Sequence, residues 1–341
     1  MKKIVSIITP SFNRADVVTE TADSIMAQTY PHWEWVIVDD GSTDNSWEVL
    51  QSIAAKDKRI KIFKRHRNPK GACVCRNIAV EKSSGYYLMF LDTDDVLAPF
   101  CLQQRVDVME LHPDNDFAIF PMLLFKKDVN DMNILWNVDS EEDDLKRFLM
   151  ADPICQGTGT LWKKNTFKEV GMWREGLAIW QDVELHVRSL LHPVKYTKHM
   201  HLDPDVYLRI SDDSLSRVGY YSLPKLKSRM TVFFEVTGLF KQKGLLEAYS
   251  DALRFVGSNI IKEAIRSKWY TEANVVMKFC RDNEIFTPAE IRQFAKYRNY
   301  QQLKLYKLSP LKALQEKLHN LVTIPHTSRI SAVPWKNPVS I

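Results

Sequence analysis

Residues 33–46 read WEWVIVDDGSTDNS, an apolar run broken only by Glu34 that ends abruptly in Asp39-Asp40-Gly41 and a polar turn. A run this short, rich in valine and isoleucine and closed by turn residues, reads as a strand buried on both faces. A helical pattern follows it from Thr43 to Lys56, and the same unit recurs on either side. KIVSIIT (3–9) leads into a helix from Ala15 to Gln28, RIKIFKR (59–65) into one from Gly71 to Ser83, and YYLMFLD (86–92) makes a fourth strand. Repeated β-α-β of this kind implies an α/β domain whose parallel sheet is covered on both faces, with ligands at the carboxyl ends of its strands.

Polar residues just after strands therefore matter most. Three clusters stand there: TPSFNR (9–14), DDGSTD (39–44) and DTDD (92–95). Asp92, Asp94 and Asp95 place three carboxylates within four residues, which is costly unless protons or a cation neutralise them. A hard divalent cation is the natural partner, and an ion such as Mg²⁺ takes few carboxylates plus phosphate oxygens and water. The plainer reading is an Asp-rich turn capping the next helix, and for Asp39 and Asp40 alone that reading is favoured.

The rest of the chain bounds the answer. Its 341 residues, 45% hydrophobic and 26% charged, are those of an ordinary globular protein with one large or two modest domains. The longest apolar stretches, such as 117–125, are about half of the roughly 20 residues a membrane-spanning helix needs, so none is expected. The opening MKKIVSIITPSFNR has only a five-residue apolar run and no cleavage signature, and is read as the first strand. Five cysteines without regular spacing suit a reducing cytoplasm; Cys73 and Cys75 lack a second pair to complete a zinc site and read as helix residues. The net charge of +5 hides an asymmetry: residues 221–341 carry 20 Lys+Arg against 9 Asp+Glu, leaving 27 against 33 before them. A basic half suits an anionic membrane surface or an anionic substrate, and no nucleic-acid-binding motif accompanies it.

A less regular middle, from about Asp114 to Arg217, contains an acidic loop (139–144) and a helix starting near Gln181. After Pro224 the pattern is helical to about Val322. Its last segment begins at Ser309-Pro310 and carries Leu311, Leu314, Leu318 and Leu321 on one face, accompanied by Lys304, Lys307, Lys312 and Lys317. Such a stripe packs on the rest of the protein or, as a basic amphipathic helix, lies peripherally on an anionic bilayer.

VSIITPSFNR, WVIVDDGSTDNS, GACVCRNIA and YYLMFLDTDD, in that order and spacing, resemble the family 2 glycosyltransferases of GT-A fold. The resemblance covers residues 1–100 strongly, returns around WQDVELHVRSL and YLRISDDSLSR, and fades after 220. It implies a Rossmann-like nucleotide-binding GT-A domain over 1–220, to which the helical pattern and charge balance add a mainly helical, basic extension over 221–341, where the resemblance is essentially absent. By it, Thr9, Pro10 and Arg14 line the nucleotide pocket, Asp40 accepts a bond from the base, and Arg76 lies near base and diphosphate. Asp92, Thr93 and Asp94 form the family's DxD element, and Asp94 and Asp95 are the expected ligands of Mn²⁺ or Mg²⁺. Arg209, Ser214, Ser216 and Arg217 resemble a segment near the donor diphosphate. Asp182 matches the second acid of the family's Glu-Asp motif, the general base, although Gln181 stands where the Glu is usual. A helix-start Asp also caps, and the helix dipole there favours its ionised form.

The expected reaction is thus an inverting transfer from a nucleoside-diphosphate sugar, UDP-linked by preference, to a hydroxyl of a glycan or lipid-linked acceptor in bacterial surface-polysaccharide synthesis. Trp162, Trp173 and Trp180 are candidates for an acceptor platform, since indole faces cover sugar rings; buried aromatics are more often core. The competing readings are a non-catalytic nucleotide-sugar-binding protein and a nucleotidyltransferase. The second should carry a glycine-rich phosphate loop after the first strand, where this chain has TPSFNR.

Overall fold

The computed structural model describes residues 2–211, 218–307, 312–321 and 333–335. Seven elements alternate through the first part of the chain: β1 (Val5–Ser11), α1 (Val18–Met26), β2 (Trp33–Asp39), α2 (Ser46–Ala54), β3 (Ile60–Lys64), α3 (Ala72–Lys82) and β4 (Tyr87–Phe90). All seven residues of β2 are buried, Glu34 included, as expected of a strand with no wet face. The middle holds β5 (Val96–Leu97), α4 (Cys101–Leu111), β6 (Phe117–Ile119), β7 (Met122–Phe125), β8 (Ile134–Leu135), α5 (Asp144–Leu149), β9 (Thr160–Lys163), α6 (Lys164–Glu169), α7 (Gln181–Leu190), β10 (Tyr196–Lys198) and β11 (Val206–Arg209). Helices α8 (Leu223–Gln242), α9 (Ser250–Arg266), α10 (Tyr270–Asp282), α11 (Pro288–Gln302) and α12 (Lys312–Leu321) follow.

The main sheet has the order β10-β6-β9-β4-β1-β2-β3. Strands β1 to β4 are parallel to their neighbours among themselves, but β9 runs antiparallel between β4 and β6. The expected all-parallel sheet is therefore correct for four strands and mixed beyond them. A second sheet, β5-β11-β7-β8, stands beside it. Its strand β5 begins directly after Asp95 and pairs with β11, so the acidic turn is held between two sheets.

Both faces of the main sheet are covered. On one, α1, α2 and α4 supply Val18, Ile25, Leu50 and Met109 to a core with Ile7, Trp35 and Met89. On the other, α3, α5 and α7 join Ile8, Val36 and Phe90, and that cluster runs without a break through Phe233, Ile261, Val276 and Tyr297 of the later helices. The helices after residue 221 thus share a core with the domain that carries the strands. Pro224 in the first turn of α8 and a capping box at α11, Thr287 with Glu290, start two of them in the expected way. In α12, Leu318 packs against the same core and His319 lies beside Tyr297 and Arg266, whereas Leu314 is exposed. The side chains of Leu311 and Leu321, like Ser214, Ser216 and Arg217, lie outside the described residues. No described helix is long and apolar enough to cross a membrane.

Candidate active site

The three strand-end clusters meet at one edge of the sheet. β1 runs out into Phe12-Asn13-Arg14, and the loop after β2 lies against it: Ser42 Oγ accepts from the Asn13 amide at 3.0 Å, and the Thr43 amide donates to Asn13 Oδ1 at 2.8 Å. Asp39 closes its own turn, accepting from the amides of Gly41 and Ser42 at 2.9 and 3.0 Å. Asp40 remains for other work, and Arg65 Nε at the end of β3 donates to it at 2.5 Å. The basic run RIKIFKR contained that partner, but only the adjacency of β2 and β3 brings the two together. Thr9 lies within β1, fully buried, with its Oγ1 bonded to the Trp35 indole at 2.8 Å. Its side chain is thus committed to the sheet, and of the residues expected to line the nucleotide pocket here, the partly exposed Pro10 and Arg14 remain.

The acidic turn is fixed from below. Thr21 Oγ1 of α1 bonds the carbonyls of Thr93 and Asp95, at 3.0 and 2.8 Å. Asp95 is buried, and its carboxylate accepts from the Arg209 amide at 3.0 Å. Asp94 is more accessible, 3.8 Å from Arg14 Nε, and Asp92 is the most open of the three. Burial first, and then the neighbouring carboxylates, push the pKa of Asp94 above the ordinary range and that of Asp95 well above it. Of the two expected metal ligands, Asp94 is the better placed to meet an incoming ion, whereas Asp95 is turned toward β11. The Arg209 side chain closes the turn, donating to the Asp94 carbonyl at 3.0 Å and pairing with Glu20.

Arg76 of α3 links this turn to the next part of the site. Its Nη2 donates to Asp92 at 2.6 Å, its guanidinium lies 4.9 Å from the Trp173 ring centre, and its Nε has no partner among the described residues. Burial disfavours its charge, but Asp92, Cys73 and Asp182 outweigh that and hold its pKa above the usual value. Asp182 stands in the first turn of α7, and its Oδ1 accepts from the Gly157 amide at 2.7 Å. Gly157 admits no side chain: a Cβ there would lie 2.9 Å from the Trp173 ring. His186, one turn on, is fully buried and meets the Asp182 carbonyl through Nδ1 at 2.8 Å. A carbonyl only accepts, so Nδ1 carries the proton, leaving Nε2 to face Cys155 Sγ at 3.5 Å. Arg188 pairs with Glu184 and reaches the carbonyls of Val170 and Met172, which fixes α7 against the chain before it.

The expected acceptor platform is corrected by burial. Trp162 is wholly enclosed, stacked on Phe117 with centres 4.0 Å apart, and Trp173 is 2% exposed between Phe90 and Gly157. Both are core residues. Trp180, half-buried, lines a cavity and adopts a left-handed backbone (φ 66°) just before α7.

Residues 6–171 match the model of the glycosyl transferase family 2. The chain carries a family 2 glycosyltransferase domain. A putative teichuronic acid biosynthesis glycosyltransferase, TuaG of Bacillus subtilis, is 42% identical over 108 residues, which are 32% of this chain and 42% of that one. The Escherichia coli UDP-Glc:alpha-D-GlcNAc-diphosphoundecaprenol beta-1,3-glucosyltransferase WfaP is 37% identical over 108 residues, again 32% of this chain and 42% of the relative. The matched stretch is thus well under half the length of either relative. Among solved structures, S. aureus TarS 1–349 in complex with UDP-GlcNAc superposes with a TM-score of 0.64 at 15% identity, covering 94% of this chain and 92% of that one. The fold of the glycosyltransferase domain is therefore GT-A, and the likeness of fold extends into the helices beyond residue 171.

Within this domain the donor set at the acidic turn is all oxygen. Among the described residues no three His, Cys, Asp or Glu side chains converge on a point that could hold a metal ion. A hard cation fits such a turn when diphosphate oxygens and water complete its shell, and the upward pKa shifts of Asp94 and Asp95 mark a local shortage of positive charge that an ion would relieve.

Proposed function

We propose that this protein is a metal-dependent, inverting glycosyltransferase that moves a sugar from a UDP-sugar to a hydroxyl of a glycan or lipid-linked acceptor during assembly of a bacterial surface polysaccharide. The observation that carries this reading is Arg76, whose Nη2 donates to Asp92 of the acidic turn and whose charged form is favoured by Asp92 first and then by Cys73 and Asp182. One guanidinium is thereby coupled electrostatically to both the group expected to meet the donor and the group expected to act as base.

Arg14, Asp40 and the loops around them hold the nucleotide, while Asp92 and Asp94 face the diphosphate and its ion. Bound there, Mn²⁺ or Mg²⁺ supplies positive charge to the leaving diphosphate. Arg76 stabilises the same charge through forked hydrogen bonding, using donors that Asp92 does not occupy. Asp182, oriented by the Gly157 amide, takes the proton of the acceptor hydroxyl as that oxygen bonds to the anomeric carbon and the carbon–phosphate oxygen bond breaks. A single displacement inverts the anomeric centre. A lipid-linked acceptor would bring the protein to the inner face of the cytoplasmic membrane.

The test is release of nucleoside diphosphate from UDP-, GDP- and dTDP-sugars with Mn²⁺, Mg²⁺ or chelator, with the anomeric configuration of the product read by NMR. Turnover with a UDP-sugar that needs the ion and inverts the centre is the expected result. Metal-independent turnover, retention of configuration, or no turnover despite donor binding and offered lipid-linked acceptors would each overturn a stated part of the proposal.

A further inference from the structure

Between the start of α7 and helices α8 and α9 lies a cavity of about 610 Å³. Its wall includes Trp180, Tyr220 and Tyr221 together with Arg229, Lys262 and Arg266, and Glu263 supplies its single acid. The cavity is therefore cationic and aromatic at once. Arg229 is 2% exposed; one nitrogen, Nη2, pairs with Glu263 and reaches the Tyr220 carbonyl at 3.3 Å, while Nε and Nη1 have no partner among the described residues. A buried guanidinium with two unsatisfied donors is costly, and such a group in a native fold calls for an explanation. The Tyr220 ring lies over it, with the guanidinium 4.7 Å from the ring centre, and Tyr220 and Tyr221 are themselves exposed at the mouth. Burial, and then Arg266, bring the pKa of Lys262 down to about 8.

We infer that this cavity is the subsite for a phosphate group carried by the acceptor, with Arg229 as its anchor, Lys262 and Arg266 as flanking charges, and Trp180 beside the sugar next to that phosphate. The inference rests on the glycosyltransferase reading, because Trp180 is joined through Gln181 to the proposed base Asp182. A tryptophan held in the left-handed region is strained, and strain at the residue joining a cationic cavity to a catalytic helix suits a residue held for contact. The recognised chemistry is a phosphate oxygen adjoining a sugar or polyol. It has two sources, the diphosphate of a lipid-linked sugar and the phosphodiester of a polyol-phosphate chain.

Two soluble probes separate them: a short-alkyl diphospho-N-acetylglucosamine and a glycerol-phosphate oligomer. Each is titrated calorimetrically into protein already saturated with UDP and Mn²⁺, for wild type, Arg229→Met and the rim variant Arg266→Gln. Expected is salt-sensitive binding of at least one probe, weakened about tenfold or more in Arg229→Met and several-fold in Arg266→Gln, with UDP affinity unchanged in both. The probe that binds names the source. If both variants bind as wild type does, or if neither probe binds wild type while UDP does, the subsite is overturned. Loss of UDP binding by wild type would instead strike the glycosyltransferase reading. Should Arg229→Met fail to fold, Arg266→Gln decides alone.

Discussion

The two ends of the parallel strands treat carboxylates in opposite ways. At the amino end, Glu34 of β2 is enclosed by donors: Ser6 Oγ and Lys61 Nζ at 2.6 Å, the Gly85 amide and Ser84 Oγ at 3.0 Å, and the Ser84 amide. Burial alone would raise its pKa, but Lys61, Ser6 and Ser84 outweigh burial and bring it down to about 2. At the carboxyl end, the partly exposed Asp94 and the buried Asp95 stand beside one another with too few donors, and desolvation and the neighbouring carboxylates move them the other way. One end is closed for stability by the chain itself; the other is left to be closed by something that binds. Removing a carboxylate should therefore cost stability at the amino end and activity at the carboxyl end.

The largest expected effect lies at the carboxyl end. Asp182→Asn keeps the bond from the Gly157 amide but loses the basic oxygen, and turnover should fall about 10³-fold, roughly 4 kcal/mol of barrier. UDP affinity and the denaturant midpoint should stay as in wild type, because the base touches neither the nucleotide nor the core packing. A variant with weakened UDP binding and near-normal turnover would move Asp182 from the chemistry to the donor.

The amino end comes next. A depressed pKa in the folded state means the stabilisation is present above the unfolded-state value, near 4.3, and is lost as pH falls through about 2. Glu34→Gln should thus lower stability at pH 7 by roughly 3 kcal/mol, with turnover per folded molecule unchanged. Urea titrations from pH 7 to pH 3 should show the gap between the two proteins narrowing as pH falls. A gap independent of pH would mean that packing, not charge, holds Glu34.

This asymmetry also explains what could be read from the sequence. The strands of the β-α-β units and the polar residues that follow them were legible, since period, turn residues and strand-end position are local properties of the chain. β9 was not: TLWK is a four-residue run, and its antiparallel insertion between β4 and β6 is set by which edges remain unpaired. Trp162 and Trp173 were misplaced because aromatic spacing before Asp182 says nothing about which ring faces the core. Gly157 was missed although GTGT (157–160) is an unusual run, since its importance comes from the approach of Trp173, which β9 and α6 separate from it in sequence. The cationic cavity had no local signature at all; its walls come from α5, the start of α7, the turn before α8, and α8 and α9. The basic balance of residues 221–341 pointed to an anionic partner without locating it.

The smallest expected effect is the sharpest test of the contrast. Asp95 carries a raised pKa, so the folded state holds its proton more tightly than the unfolded state does, and the associated stabilisation is lost as pH rises through the folded value. Ionising this carboxyl is a cost to the fold, whose causes are burial first and then Asp94 and Asp92. Asp95→Asn keeps an oxygen for the Arg209 amide and removes that charge, so without metal its stability should equal that of wild type or exceed it by up to about 1 kcal/mol, in line with the common trade between stability and function at such sites. Addition of Mn²⁺ and UDP should raise the melting temperature of wild type more than that of the variant if the Asp95 carboxylate contributes to the ion's field. Equal ligand-induced shifts would leave Asp94 and Asp92 as the carboxylates that meet the ion. A metal-free variant less stable than wild type would instead place Asp95 with Glu34, as a carboxylate that the chain itself had closed.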